Sequence, residues 1–98
     1  MSAPVYVGDE VSGAGFRLAG ARVVVPEPDA EAGALAAARA EAPLVLVSAA
    51  VAARVPEATM AEAIAALAPL VLIVPDLRGE APMPDIAARL RRQLGLEG

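Results

Sequence analysis

The sequence predicts an α/β fold: a small open sheet of four parallel strands with helices on both faces, followed by a C-terminal amphipathic helix. Short apolar runs alternate with alanine-rich stretches of helical character along the 98 residues. The third and fourth runs, Leu44 to Val47 and Leu70 to Val74, are apolar at every position, as strands covered by helices on both faces are. Gly or Pro punctuates the runs and the stretches between them, at Gly8, Pro26, Pro43 and Pro69.

Taken in order, the first strand is Pro4 to Val7, closing on Gly8. Ser12 then caps a short helix with Phe16 and Ala19 on its inner side, and Gly20 supplies the left-handed position that ends it. Arg22 to Val25 is the second strand, a β-branched triplet stopped by Pro26. Pro28-Asp29 opens a second helix that runs to Ala42, where Pro43 stops it; Leu35 is its one large apolar residue, so it must meet the sheet through alanine. The two continuously apolar runs are the third and fourth strands and, on that pattern, the central ones. Between them, a segment broken around Pro56 leads to Thr59-Met60-Ala61-Glu62, a capping box that starts a helix with Met60, Ile64 and Leu67 inward. Pro69 ends that helix.

Residues 1–75 are thus expected to form the sheet domain, residues 76–83 a polar loop with Pro near its ends, and residues 84–98 a helix able to dock or release. Pro84 suits a first helical position and Asp85 suits the positive end of the helix dipole. Met83, Ile86, Leu90 and Leu94 make an apolar stripe, with Arg89 and Arg92 on the opposite face and Arg91 at its flank. A basic helix in an acidic chain suggests a partner contact, to which Arg17, Arg89, Arg91, Arg92 and Leu94 are assigned.

Composition excludes much of enzymology. The chain has no Cys and no His, which removes thiol and imidazole chemistry and the ordinary zinc, copper and haem sites. The net charge of −4 and a single Tyr and Phe leave no basic face or stacking platform for nucleic acid. Mean hydropathy is +0.57, yet the longest apolar runs fall far short of the roughly 20 residues a membrane span needs. Met-Ser-Ala-Pro carries neither the basic nor the apolar region of a secretion signal, so a cytoplasmic location with no direct membrane insertion is expected. At 98 residues there is room for one core, built of Ala, Val, Leu and Ile.

Two local patterns invite chemistry. Asp9 and Glu10 follow the first strand, where α/β folds place ligands, and an acidic pair there can hold magnesium. A phosphoacceptor receiver domain shares this flavodoxin-like, Rossmann-like form, but its acceptor Asp after strand three is replaced here by Ser48, and the chain has no lysine to serve as its charge partner. A solvated turn that starts the next helix is the preferred reading. Gly13-Ala14-Gly15 begins like a dinucleotide fingerprint, but Leu18 stands where the third glycine belongs. No cofactor or metal site is assigned.

Gly8-Asp9-Glu10 followed by Gly15-Phe16-Arg17-Leu18-Ala19-Gly20 is more specific. It resembles the N-terminal signature of the F subunit of the V-type/A-type rotary ATPases, and Arg91-Arg92-Gln93-Leu94-Gly95-Leu96 is similar to that family's ending. The resemblance implies a noncatalytic rotor protein of the central stalk, peripheral to the membrane through its complex. It implies binding to the coiled-coil shaft, the D subunit of such complexes, with the catalytic hexamer and the rotor-ring adaptor as further partners. It also implies coupling of ATP turnover to proton or sodium transport, and a regulatory C-terminal helix. The alternative is a receiver-like or anti-sigma-antagonist-like signalling module, with Ser48 as its one plausible phosphate acceptor.

Overall fold

The computed structural model describes residues 3–75, and the sequence-predicted loop 76–83 and helix 84–98 lie outside the described residues. Within them the order is β1 (Val5–Val7), α1 (Glu10–Leu18), β2 (Arg22–Val24), α2 (Glu31–Glu41), β3 (Leu44–Ser48), α3 (Ala49–Arg54), α4 (Glu57–Ala65) and β4 (Leu70–Val74). The four strands form one sheet in the order β2-β1-β3-β4, and every neighbouring pair is parallel. The α/β class and the open parallel sheet expected from the sequence are both present.

The expected placing of the strands is corrected. The central strands are β1 and β3, and β4 is an edge. Three-residue β1 is too short to display a long apolar run, yet Val5, Tyr6 and Val7 are all buried. In β4, by contrast, Val71 is buried while Leu70 and Leu72 are exposed, so an apolar run at every position does not mean cover on both faces.

Alternation along the strands separates two faces. Val5, Val7, Val45, Val47 and Val71 point to one side, where they pack with Leu35 and Ala38 of α2, Val51 of α3, and Met60 and Ala63 of α4. Each fully buried Val or Leu of this core contributes about 1.5–3 kcal/mol. Alanine at positions 38 and 63 lets the helix backbones approach the sheet, as expected for α2 from its single large residue, Leu35. On the opposite face α1 rests on β1 and β2.

Helix boundaries differ from the expectations in instructive ways. The cap of α1 is Asp9, whose Oδ2 accepts the Ser12 backbone N–H at 2.8 Å; Ser12 lies inside the first turn, and Ala19 is exposed. Its end follows the expectation: Gly20 has φ +102°, and the N–H groups of Gly20 and Ala21 donate to the carbonyls of Arg17 and Phe16, each at 3.0 Å. Helix α2 starts at Glu31 rather than Pro28-Asp29, because Asp29 sits in the left-handed region at φ 67°.

The segment expected to be broken before Pro56 is the helix α3, capped by Ser48. Helix α4 begins at Glu57 after Pro56, so Thr59 is internal and no capping box forms. Met60 is inward as expected, but Ile64 and Leu67 are exposed and Ala63 takes the core position. The helix stops at Ala65, before Pro69.

Candidate functional site

The carboxyl ends of β1 and β3 are adjacent, and the connections leave them in opposite directions across the sheet: from β1 to β2 on one side, from β3 to β4 on the other. Such a switch point is where open α/β sheets form ligand crevices. Here the crevice is shallow, about 200 Å³, and is lined by Gly8, Asp9, Pro26, Ser48, Val51 and Arg54 among others. Each polar side chain in that lining has an internal partner. Asp9 Oδ1 accepts the Tyr6 phenol at 3.3 Å while Oδ2 caps α1. Arg54 lies 3.7 Å from the buried Glu31.

Ser48 Oγ accepts the Val51 N–H at 3.1 Å, and the residue is 3% exposed. A hydroxyl so enclosed and already capping a helix is poorly placed to receive a phosphoryl group. Among the described residues no group of three or more His, Cys, Asp or Glu side chains is positioned to hold a metal ion.

The Gly8-Asp9-Glu10 and Gly15-to-Gly20 signature surrounds one turn and one helix, and its residues divide into two groups. Gly8, Asp9, Phe16 and Gly20 build the fold. A side chain at Gly8 would collide with the Tyr6 phenol, and its Cβ would lie 2.9 Å from that of Ser48. Phe16 stacks on Tyr6 with ring centroids 4.5 Å apart. Burial raises the Tyr6 pKa above its ordinary value, and the Asp9 carboxylate pushes in the same direction. The Ser12 hydroxyl partly opposes both.

The remaining residues face solvent. Glu10 and Arg17 pair across α1 at 2.9 Å, both exposed, an arrangement worth roughly 0–1 kcal/mol. Leu18 is 93% exposed and Val11 66%. Val11, Ala14, Gly15 and Leu18 follow the i, i+3, i+4, i+7 spacing of one helix face, and all four are exposed. Ser12, Gly13 and Phe16 lie on the face turned to the sheet. Gly13 meets β2 so closely that a Cβ there would sit 2.6 Å from Val23 Cγ1, whereas a Cβ at Gly15 would meet nothing within 4 Å among the described residues. The inner glycine is explained by packing, and the outer one is not.

Thus α1 is apolar or small both inside and outside, with its charges confined to one flank. Of the sequence-predicted contact residues, Arg17 is on that flank; Arg89, Arg91, Arg92 and Leu94 lie outside the described residues. The outward ridge of Val11 and Leu18 is not among the contacts expected from sequence, although its spacing can be read there beside Phe16. No helix among the described residues is long and apolar enough to cross a membrane.

The chain has no significant match among curated proteins. A family model described as the ATP synthase (F/14-kDa) subunit matches residues 5–91, from the first strand into the C-terminal arginine-rich segment.

Proposed function

From the premise that the chain belongs to the ATP synthase (F/14-kDa) subunit family, we propose that it is a noncatalytic central-stalk component of a V/A-type rotary ATPase. It binds the coiled-coil shaft, turns with it inside the catalytic hexamer, and helps couple ATP turnover to proton or sodium movement through the rotor ring. The ring adaptor is its neighbour in the complex. The chain is peripheral to the membrane, held there through the complex.

One observation within the structure supports this reading most directly: the outer face of α1. A helix that is apolar on every side but one flank is normally buried, and here one of its apolar faces is left to solvent. Val11 and Leu18 bracket Ala14 and Gly15 on that face, a profile in which two large residues grip while two small ones admit a close neighbour. An α-helical shaft presents a surface of matching shape. Arg17, paired with Glu10 along the flank, adds a polar edge, and the sequence offers Arg89, Arg91, Arg92 and Leu94 as a second contact to the shaft or hexamer.

Isothermal titration of the purified chain against the coiled-coil shaft protein of the same complex tests the proposal. A one-to-one complex is expected, with Leu18→Glu weakening it at least about tenfold, the loss of about 1.4 kcal/mol, while leaving the thermal midpoint unchanged. Absence of binding at all salt concentrations would overturn the stalk reading. Binding that is indifferent to Leu18→Glu would remove α1 from the interface.

A further inference from the structure

Helix α1 is mounted on the sheet differently from α2, α3 and α4. Those three share the hydrophobic core with β1, β3 and β4, and among the described residues no member of that core comes from α1. The buried residues of α1 are Ser12 and Gly13, which bring no large apolar side chain of their own. Tyr6 supplies the bulk instead. It is 1% exposed, and its phenol donates to Asp9 Oδ1 at 3.3 Å beside the Ser12 hydroxyl. A Cβ at Gly13 would stand 3.6 Å from its ring, with Val23 of β2 alongside, and Phe16 stacks on that ring. Asp9, Ser12, Gly13 and Phe16 are the i, i+3, i+4, i+7 positions of one ridge. A single side chain of β1 thus underlies the inner ridge from the cap to the last turn.

The outer ridge of Val11, Ala14, Gly15 and Leu18 repeats that spacing two residues further on, about 200° around the helix. Any rotation of α1 that disturbs the inner ridge therefore turns the outer one by the same angle. We propose that Tyr6 is the positioning residue of the α1 surface: by donating to the carboxylate that caps the helix, its phenol fixes the rotation at which Val11, Gly15 and Leu18 face outward. Tyr6 itself is out of a partner's reach. Aromatic pairs are stable over centroid separations of about 4.5–7 Å, so the stack with Phe16 tolerates sliding. A hydrogen bond weakens steeply off its axis. Asp9 transmits that direction into the helix, since its other oxygen holds the Ser12 N–H at 2.8 Å in the first turn. This role rests on the reading of the outer ridge as the shaft contact, and names the buried group that sets its angle.

Tyr6→Phe removes the hydroxyl and keeps the ring. In the full chain it is expected to weaken binding to the coiled-coil shaft protein about fivefold, because chains whose α1 leaves the competent rotation lower the apparent affinity by the fraction lost. In a Leu18→Ala background that cost should largely disappear, since the phenol acts through the outer ridge. Ser48→Ala loosens α3 instead and should leave the affinity at its native value, which separates positioning from a loss of stability. Residual dipolar couplings of the chain alone report the orientation of each helix without the shaft. In Tyr6→Phe those of the α1 amides should change while those of α2 and α4 stay. Should the native chain bind no shaft, the stalk reading falls, and the couplings alone decide whether Tyr6 sets α1. Couplings unchanged along α1, or an affinity loss equalled by Ser48→Ala or additive with Leu18→Ala, would overturn the proposal.

Discussion

Tyr6 and Phe16 are stacked, their ring centroids 4.5 Å apart and their planes 17° from parallel. They are the chain's only aromatic residues, one from a central strand and one from α1, so a single aromatic contact joins the helix to that face of the sheet. Offset aromatic pairs add about 0.5–1.5 kcal/mol beyond the area they bury. Phe16→Ala should therefore destabilise the domain by about 2–3 kcal/mol in urea unfolding. The effect should be large relative to that of Leu18→Ala, two residues away but in solvent.

The same pair gives a pH signature. Burial raises the Tyr6 pKa, with the Asp9 carboxylate next in weight, so the native phenol holds its proton beyond the point at which the unfolded chain releases it. Stability from this group is complete below an unfolded pKa of about 10 and is lost as pH climbs through the native value. With one tyrosine in the chain, absorbance near 295 nm follows this ionisation without overlap. The native midpoint should lie above the denatured one. Asp9→Asn, which keeps a competent helix cap, should bring the native midpoint down without returning it fully, since burial persists.

Much of this architecture is legible in the sequence because the local signals and the fold agree. Four apolar runs correspond to four strands, and Gly20 marks the end of α1 through a conformation that side chains disfavour. Strand order is not legible: β4 carries five consecutive apolar residues yet lies at an edge, and a linear pattern does not say which element covers a face. The α3 helix is hidden because Pro56 suggests a break, while Ser48, one residue before the helix, is its N-cap. Asp9 reads as an acidic ligand or a turn residue, and its actual work, capping α1 while receiving the Tyr6 phenol, depends on a contact with β1 that spacing alone does not reveal. The outer ridge of α1 is obscured for a related reason. Phe16 explains the helix's inner face, and the second apolar face is exposed among the described residues.

Ser48 separates the two readings of the switch point. Its hydroxyl accepts the Val51 N–H from a buried position, so Ser48→Ala should cost about 1 kcal/mol through loss of the cap to α3. Incubation with magnesium and acetyl phosphate should leave the native chain unmodified, by intact mass. Stoichiometric phosphorylation at Ser48 would instead require the start of α3 to open, and would favour the signalling alternative.

Gly13 and Gly15 lie two residues apart on α1 and should respond to alanine in opposite directions. At Gly13 the added Cβ would meet Val23 Cγ1 at 2.6 Å, forcing α1 away from β2, and destabilisation by about 1–3 kcal/mol is expected. At Gly15 the space is open, and replacing glycine in a helix interior should stabilise the isolated chain by about 0.5–1 kcal/mol. A residue that gives up stability with no neighbour among the described residues to justify it makes sense where another backbone must come close. Gly15→Ala should thus raise the thermal midpoint of the chain alone and weaken its complex with the shaft, a pairing of opposite signs that a purely structural glycine would not produce. If affinity for the shaft is unchanged while the midpoint rises, the outer face of α1 makes its contact without close approach, and Leu18 becomes the residue on which that interface depends.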